Sequence, residues 1–336
     1  MHSRSLLILI ALAGASVIGA GTVITADQPV RSLPAGQKLF ADLAAKQGQV
    51  TRIRLTQGKD SLTFEKKGDV WTLAEKSGYP VAPEKIRQIL VDLTEVETLE
   101  AKTAKADLLP RLDLGEGDGA RARHLTLYAG ETVLADVFLG KLRSAAINAA
   151  ALGLDKPMLY LRKAGDGQAW LVESRLNPKV EALEYLNKDL FDIAQDKVAT
   201  VTLTPAEGPA VEIGRAPGDA TPPDVAVLNP PEGRVSKKGW DVSGVVAALE
   251  GMSFEDVRPA QDIPVDGPAT EARFTLAEGG PVVVTLRKLD GADWAIFSGE
   301  NDALKPTHGW AFKLPSYKIE RLTKSLADLT EEPKTN

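Results

Sequence analysis

The side chains able to do chemistry are few and scattered. Three histidines occur, His2, His124 and His308, and none has a second His or a nearby acid at metal-ligand spacing. His124 opens a strand-like stretch and His308 precedes Gly309 in a loop, so both read as surface residues. The run Asp113-Leu114-Gly115-Glu116-Gly117-Asp118-Gly119 has the oxygen ligands and glycines of a calcium loop. It lacks that loop's length and closing bidentate Glu, and reads as a turn. A dinucleotide loop fits less well, because a strand rather than a helix follows the glycines. Glu95 with Glu97 and Glu255 with Asp256 are the kind of acidic pair a glycosidase uses, and also the kind any solvated surface carries. No Gly-x-Ser-x-Gly, Ser-x-x-Lys or phosphate-binding Gly-Lys-Ser/Thr motif is present, so no catalytic, cofactor-binding or metal-binding residue is assigned.

The tryptophans could stack on sugars. Trp71, Trp170, Trp294 and Trp310 each sit in a strand-like stretch and read as core, whereas Trp240 stands at a loop-to-helix junction and is the one expected at the surface.

Composition narrows the field further. The chain has 336 residues, 43% hydrophobic and 26% charged, which suits more than one globular domain. Its 40 Lys and Arg against 46 Asp and Glu leave a net charge of −6, with no attractive field for nucleic acid. There is no cysteine, which removes disulfides, thiolate chemistry and Cys-zinc sites.

From Ser5 to Ala26 no residue is charged. At about 1.5 Å per residue this run spans a hydrocarbon layer of about 30 Å, so residues 1–26 read as a membrane anchor or a cleaved signal peptide. The length of the run and the bulky Ile18 and Ile24, two residues before Ala20 and Ala26, favour the anchor. Arg4 would stay inside, placing everything after Asp27 across the membrane, in the periplasm of a Gram-negative cell.

One pattern occurs twice in the rest. Val50 to Thr56 alternates apolar with polar residues and recurs as Val198 to Thr204. A short helix follows each, with Ile86, Ile89, Leu90 and Leu93 in the first copy and Val242, Val245, Val246 and Leu249 in the second. Then come strand pairs, Leu125-Thr126-Leu127 with Val133 to Leu139, matched to Phe274-Thr275-Leu276 with Val282 to Leu286. Each copy closes on a Trp-led strand, Trp170-Leu171-Val172 or Trp310-Ala311-Phe312, and a helix carrying Val180, Leu183 and Leu186 or Ile319, Leu322 and Leu326. The expected division is residues 1–26 as anchor, 27–49 as linker and amphipathic helix, 50–196 and 197–328 as two α+β repeats, and 329–336 as a tail. Within the linker, 34–46 reads as a helix whose Leu39, Phe40 and Leu43 pack on the first repeat or lie on the membrane, with packing favoured.

The stretches Gly36 to Leu43, Val50-Thr51-Arg52-Ile53, Trp71 with Tyr79-Pro80-Val81-Ala82, Leu109 to Gly115, Phe138 to Lys141 and Tyr185 to Ile193 resemble the bacterial domain of unknown function 4340. Ala82 stands where that family usually has Asp, and Tyr185 where it has Trp. The resemblance implies a single N-terminal anchor, an extracytoplasmic body and the company of a gliding-motility-type ABC transporter, and it carries no site residues. The fold class expected is α+β: an N-terminal transmembrane helix followed by two similar tandem domains of antiparallel strands with short packed helices. The function expected is a non-enzymatic accessory or scaffold protein of the inner membrane, with partners in the membrane, an ABC-type transporter or another envelope protein and none in nucleic acid. The alternatives are a glycan or envelope-polymer binding module and a hydrolase with an acidic site.

Overall fold

The computed structural model describes residues 36–143, 157–215 and 225–333. The expected membrane helix and His2 lie outside the described residues. Among the described residues, no helix is long and apolar enough to cross a membrane. What is described is mostly antiparallel sheet with a few short helices.

In chain order the strands are β1 Arg52–Gln57, β2 Asp60–Lys67, β3 Val70–Leu73, β4 Tyr79–Pro80, β5 Glu97–Ala101, β6 Arg123–Ala129, β7 Thr132–Arg143, β8 Met158–Lys163 and β9 Ala169–Glu173. They continue as β10 Asp189–Phe191, β11 Val198–Thr204, β12 Val211–Arg215, β13 Val225–Val227, β14 Val235–Ser236, β15 Met252–Ser253 and β16 Asp256–Pro259. The last are β17 Thr270–Leu276, β18 Val282–Leu289, β19 Ala292–Gly299, β20 Trp310–Lys313 and β21 Thr330–Glu331. Two compact units result, Met1–Asp69 with Pro83–Val180, and Val70–Ala82 with Glu181–Asn336.

In the first unit the strands run β2-β1-β6-β7-β8-β9-β5 across an antiparallel sheet. Period-2 alternation decides which face is dry: Ile53, Leu55, Leu125, Leu127, Val137 and Leu139 are fully buried. The helix Pro83–Thr94 buries Ile86, Ile89 and Leu93 on one stripe, as its spacing requires. The expected helix over 34–46 shrinks to Leu43–Lys46. Gly36 to Leu39 is drawn instead to the edge strand β5, with Gly36 N donating to Thr98 O at 2.7 Å and Leu39 N to Val96 O at 2.9 Å. An edge strand's open backbone groups offer that segment more hydrogen bonds than a marginal helix would. Leu39 and Leu43 are buried within this unit.

In the second unit the order is β13-β12-β11-β17-β18-β19-β20-β16, again antiparallel. From β12 to β16 this repeats the first unit's order from β2 to β5, with β13 added beyond β12. Register refines the match. Ile53 faces Leu127, and its counterpart Val201 faces Phe274, so Leu127 rather than Leu125 corresponds to Phe274. Alternation alone cannot detect a slip of two residues, since it preserves the face. The helix Trp240–Val246 runs on into a tighter turn at Ala247–Leu249, and together they bury Val242, Val245, Val246 and Leu249.

Two departures concern the end of the first copy. The helix expected at Val180 to Leu186 is a three-residue turn, Ala182–Glu184. Beyond it the chain bonds elsewhere, with Tyr185 O accepting from Ala82 N at 2.8 Å and β10 pairing with β15. The hairpin β3–β4 also belongs to the second unit, although its sequence lies inside the first copy. Tyr79 explains this, since its ring stands edge-on to Phe254, Trp310 and Phe312 at 5.7, 4.9 and 6.2 Å. The compact units divide at Val180–Glu181.

Candidate functional site

The solvent face of the first unit's sheet carries a set of polar side chains with mutual contacts. Thr56 lies opposite His124, Arg54 opposite Thr126, and Arg52 opposite Tyr128. On β7, Asp136 lies opposite Thr126 and Phe138 opposite His124. These residues share a face because their strands alternate in step.

Within that face, His124 Nε2 meets Asp136 Oδ1 at 2.5 Å, and Thr126 Oγ1 donates to the same oxygen at 3.0 Å. The His124 ring stacks on Phe138 with centroids 4.1 Å apart and planes 15° from parallel. Arg162 lies over Phe138 at 4.5 Å, and its guanidinium is held by Glu116 and by Asp166 O. The imidazole is therefore fixed by a carboxylate at one nitrogen and an aromatic ring on one face, which leaves Nδ1 as its open nitrogen. The short Thr56 and Thr126 among the longer Arg54, His124 and Tyr128 leave a hollow of about 220 Å³.

This arrangement does not activate a hydroxyl nucleophile. Thr126 Oγ1 gives its proton to Asp136, lies 3.5 Å from the imidazole nitrogen that Asp136 already holds, and is buried. The set can bind and orient a polar group.

The other side chains of interest are dispersed. His308 is exposed after the turn Asp302–Thr307. In the 113–119 loop, Asp113 ends a turn with φ 57°, Leu114 is buried in a cluster with Leu109 and Phe138, and Glu116 pairs with Arg162. Among the described residues no group of three His, Asp or Glu is placed to hold a metal ion. Asp256 pairs with Lys76 at 2.5 Å and Glu255 with Lys313 at 3.8 Å, so each carboxylate of that pair faces a lysine.

Of the tryptophans, Trp170 and Trp294 are buried and Trp71 and Trp310 half-buried, while Trp240 is 65% exposed. Arg321 lies over the Trp240 ring at 4.8 Å and also reaches the half-exposed Tyr317 at 5.4 Å. Gly244, one turn on, lies under the indole, where a Cβ would stand 3.4 Å from the ring in ordinary van der Waals contact. Beside this patch Lys318 is buried, and its ammonium donates to Ala248 O at 2.9 Å and to Glu250 O. Burial, then Arg321, lowers its pKa to about 8 from the usual 10.5, with Glu250 and Asp192 opposing.

The description "Domain of unknown function (DUF4340)" belongs to the family whose sequence profile matches residues 71–278, more than half of the chain. No curated protein and no solved structure matches it.

Proposed function

Because the chain belongs to the DUF4340 family, we propose that it is a membrane-tethered, extracytoplasmic scaffold whose two units present different surfaces to envelope partners. The observation that carries this reading is one strand order used twice with unlike outward residues. The dry faces are alike, Ile53 and Leu55 answering to Val201 and Leu203. The wet faces are not: Thr202, Thr204, Glu271 and Arg273 stand where Arg54, Thr56, His124 and Thr126 stand in the first unit. In a duplicated fold, the core preserves the architecture and surface residues are free to diverge. The uncharged run from Ser5 to Ala26 behind Arg4 supplies the tether and its direction.

The partner proposed is a membrane protein, an ABC-type transporter being the kind the family resemblance implies. The patch of Trp240, Tyr317 and Arg321 has the residue types that dominate interface energetics and is offered as the contact. A photo-crosslinker in place of Trp240 in the full-length protein in cells is expected to capture one membrane partner in stoichiometric yield. A protein that stays solitary in mild detergent and crosslinks to nothing overturns the proposal.

A second reading, binding of glycan or envelope polymer, is favoured by the exposure of Trp240 alone. Co-sedimentation with purified cell-wall fragments, abolished by Trp240→Ala, would establish it, and no co-sedimentation would remove it.

A further inference from the structure

The geometry points to a phosphate-binding site in the hollow of the first unit's sheet, taking a small phosphate ester at Arg54, Thr56 and His124. A polar sheet face needs no such arrangement to be soluble, and the second unit shows how the same positions can be filled otherwise. There Arg273 and Glu271 satisfy each other at 3.1 Å. In the first unit the corresponding positions hold Thr126 and His124, both turned to Asp136. Arg54 is exposed, and its guanidinium has no hydrogen-bond or ion-pair partner among the described residues.

The donors set the ligand class. The residues lining the hollow are Arg54, Thr56, His124, Thr126 and Tyr128, and none of them is acidic. Asp136 fixes the imidazole through Nε2, so Nδ1 is the nitrogen open to a ligand and donates when the ring is protonated. Arg54 and Thr56 project from one strand and His124 from the next, so their donors do not share a plane. A tetrahedral phosphate, with oxygens facing several directions, suits that arrangement better than a planar carboxylate. At about 220 Å³ the hollow is smaller than typical drug-sized pockets, so it takes a headgroup or a single phosphorylated sugar rather than a polymer. A lipid headgroup and a soluble phosphate ester share this chemistry.

The test is an NMR titration of the full-length protein in non-ionic detergent, following the imidazole C–H signals of His124 and His308, with His124→Gln and His308→Gln assigning these two among the three histidines. Inorganic phosphate and glycerol 3-phosphate should shift the His124 signals saturably, with half-saturation at about 1 mM, and leave His308 unmoved. Arg54→Gln should raise the half-saturation about tenfold, through loss of one charge-assisted contact. Dihexanoyl-phosphatidylglycerol binding more tightly than glycerol 3-phosphate would identify the lipid as the source, and equal or weaker binding the soluble ester. Shifts that do not saturate, that move both histidines alike, or that survive Arg54→Gln unchanged overturn the proposal. Arg54 is exposed, so that variant is expected to fold, and unchanged thermal unfolding checks it.

Discussion

Tyr79 meets Trp310 edge to face, with ring centroids 4.9 Å apart, and so ties a hairpin from the first copy's sequence into the core of the second unit. The position is confined: the Tyr79 side chain is buried among Phe254, Trp310 and Phe312. Tyr79→Ala is therefore expected to destabilise the second unit by about 3–5 kcal/mol, the range for deleting a buried aromatic ring. A chain starting at Glu181, which lacks this hairpin, should expose the aromatic cluster and bind a hydrophobic dye. Urea unfolding followed by tryptophan fluorescence measures the first, and dye binding the second. A fully stable fragment would show that the hairpin does not belong to that core.

Alkaline pH separates two buried groups in this unit. Lys318 holds its proton less tightly when folded, with a pKa of about 8 against 10.5 when unfolded, so the unfolded chain binds more protons between those values. Stability should rise with pH through that window, and Lys318→Met should flatten the rise. Tyr79 behaves oppositely, because burial pushes its pKa up to about 12. Its contribution is complete below pH 10 and should be lost as pH climbs from 10 towards 12, a fall that Tyr79→Phe removes. Thermal unfolding of the wild type and both variants across this range checks both signs.

Gly140 on β7 tests the packing of the first unit. A Cβ at this position would stand 2.2 Å from Leu112 O, which is backbone and cannot swing aside. Gly140→Ala is expected to cost about 1–3 kcal/mol or more by overpacking, read as a lower urea midpoint. An unchanged midpoint would show that the 112–114 segment moves without cost.

Much of the architecture was legible because it follows from alternation and turns. Ile53 and Leu55, Val201 and Leu203, and the helix stripes at Ile86 and Val242 are buried as their spacing requires. The hairpin at Tyr79 was not legible, since nothing local marks a ring that packs against Phe254, Trp310 and Phe312, all distant in sequence. The His124–Asp136 contact was hidden for a different reason. Counting back from the Gly130 turn, Tyr128 pairs with Val133, which would set Thr126 opposite Ala135 and turn Asp136 towards the core. A bulge between Leu127 and Tyr128 advances the register by one and brings Asp136 to the solvent face beside His124. Trp240 could be read in advance because it opens a helix whose buried stripe begins at Val242.

Paired fusions at the carboxyl terminus test most directly whether the body lies beyond the membrane. The account predicts an active alkaline phosphatase fusion and a dark green-fluorescent-protein fusion exported by the same route. A fluorescent fusion together with an inactive phosphatase would place both units in the cytoplasm and contradict it.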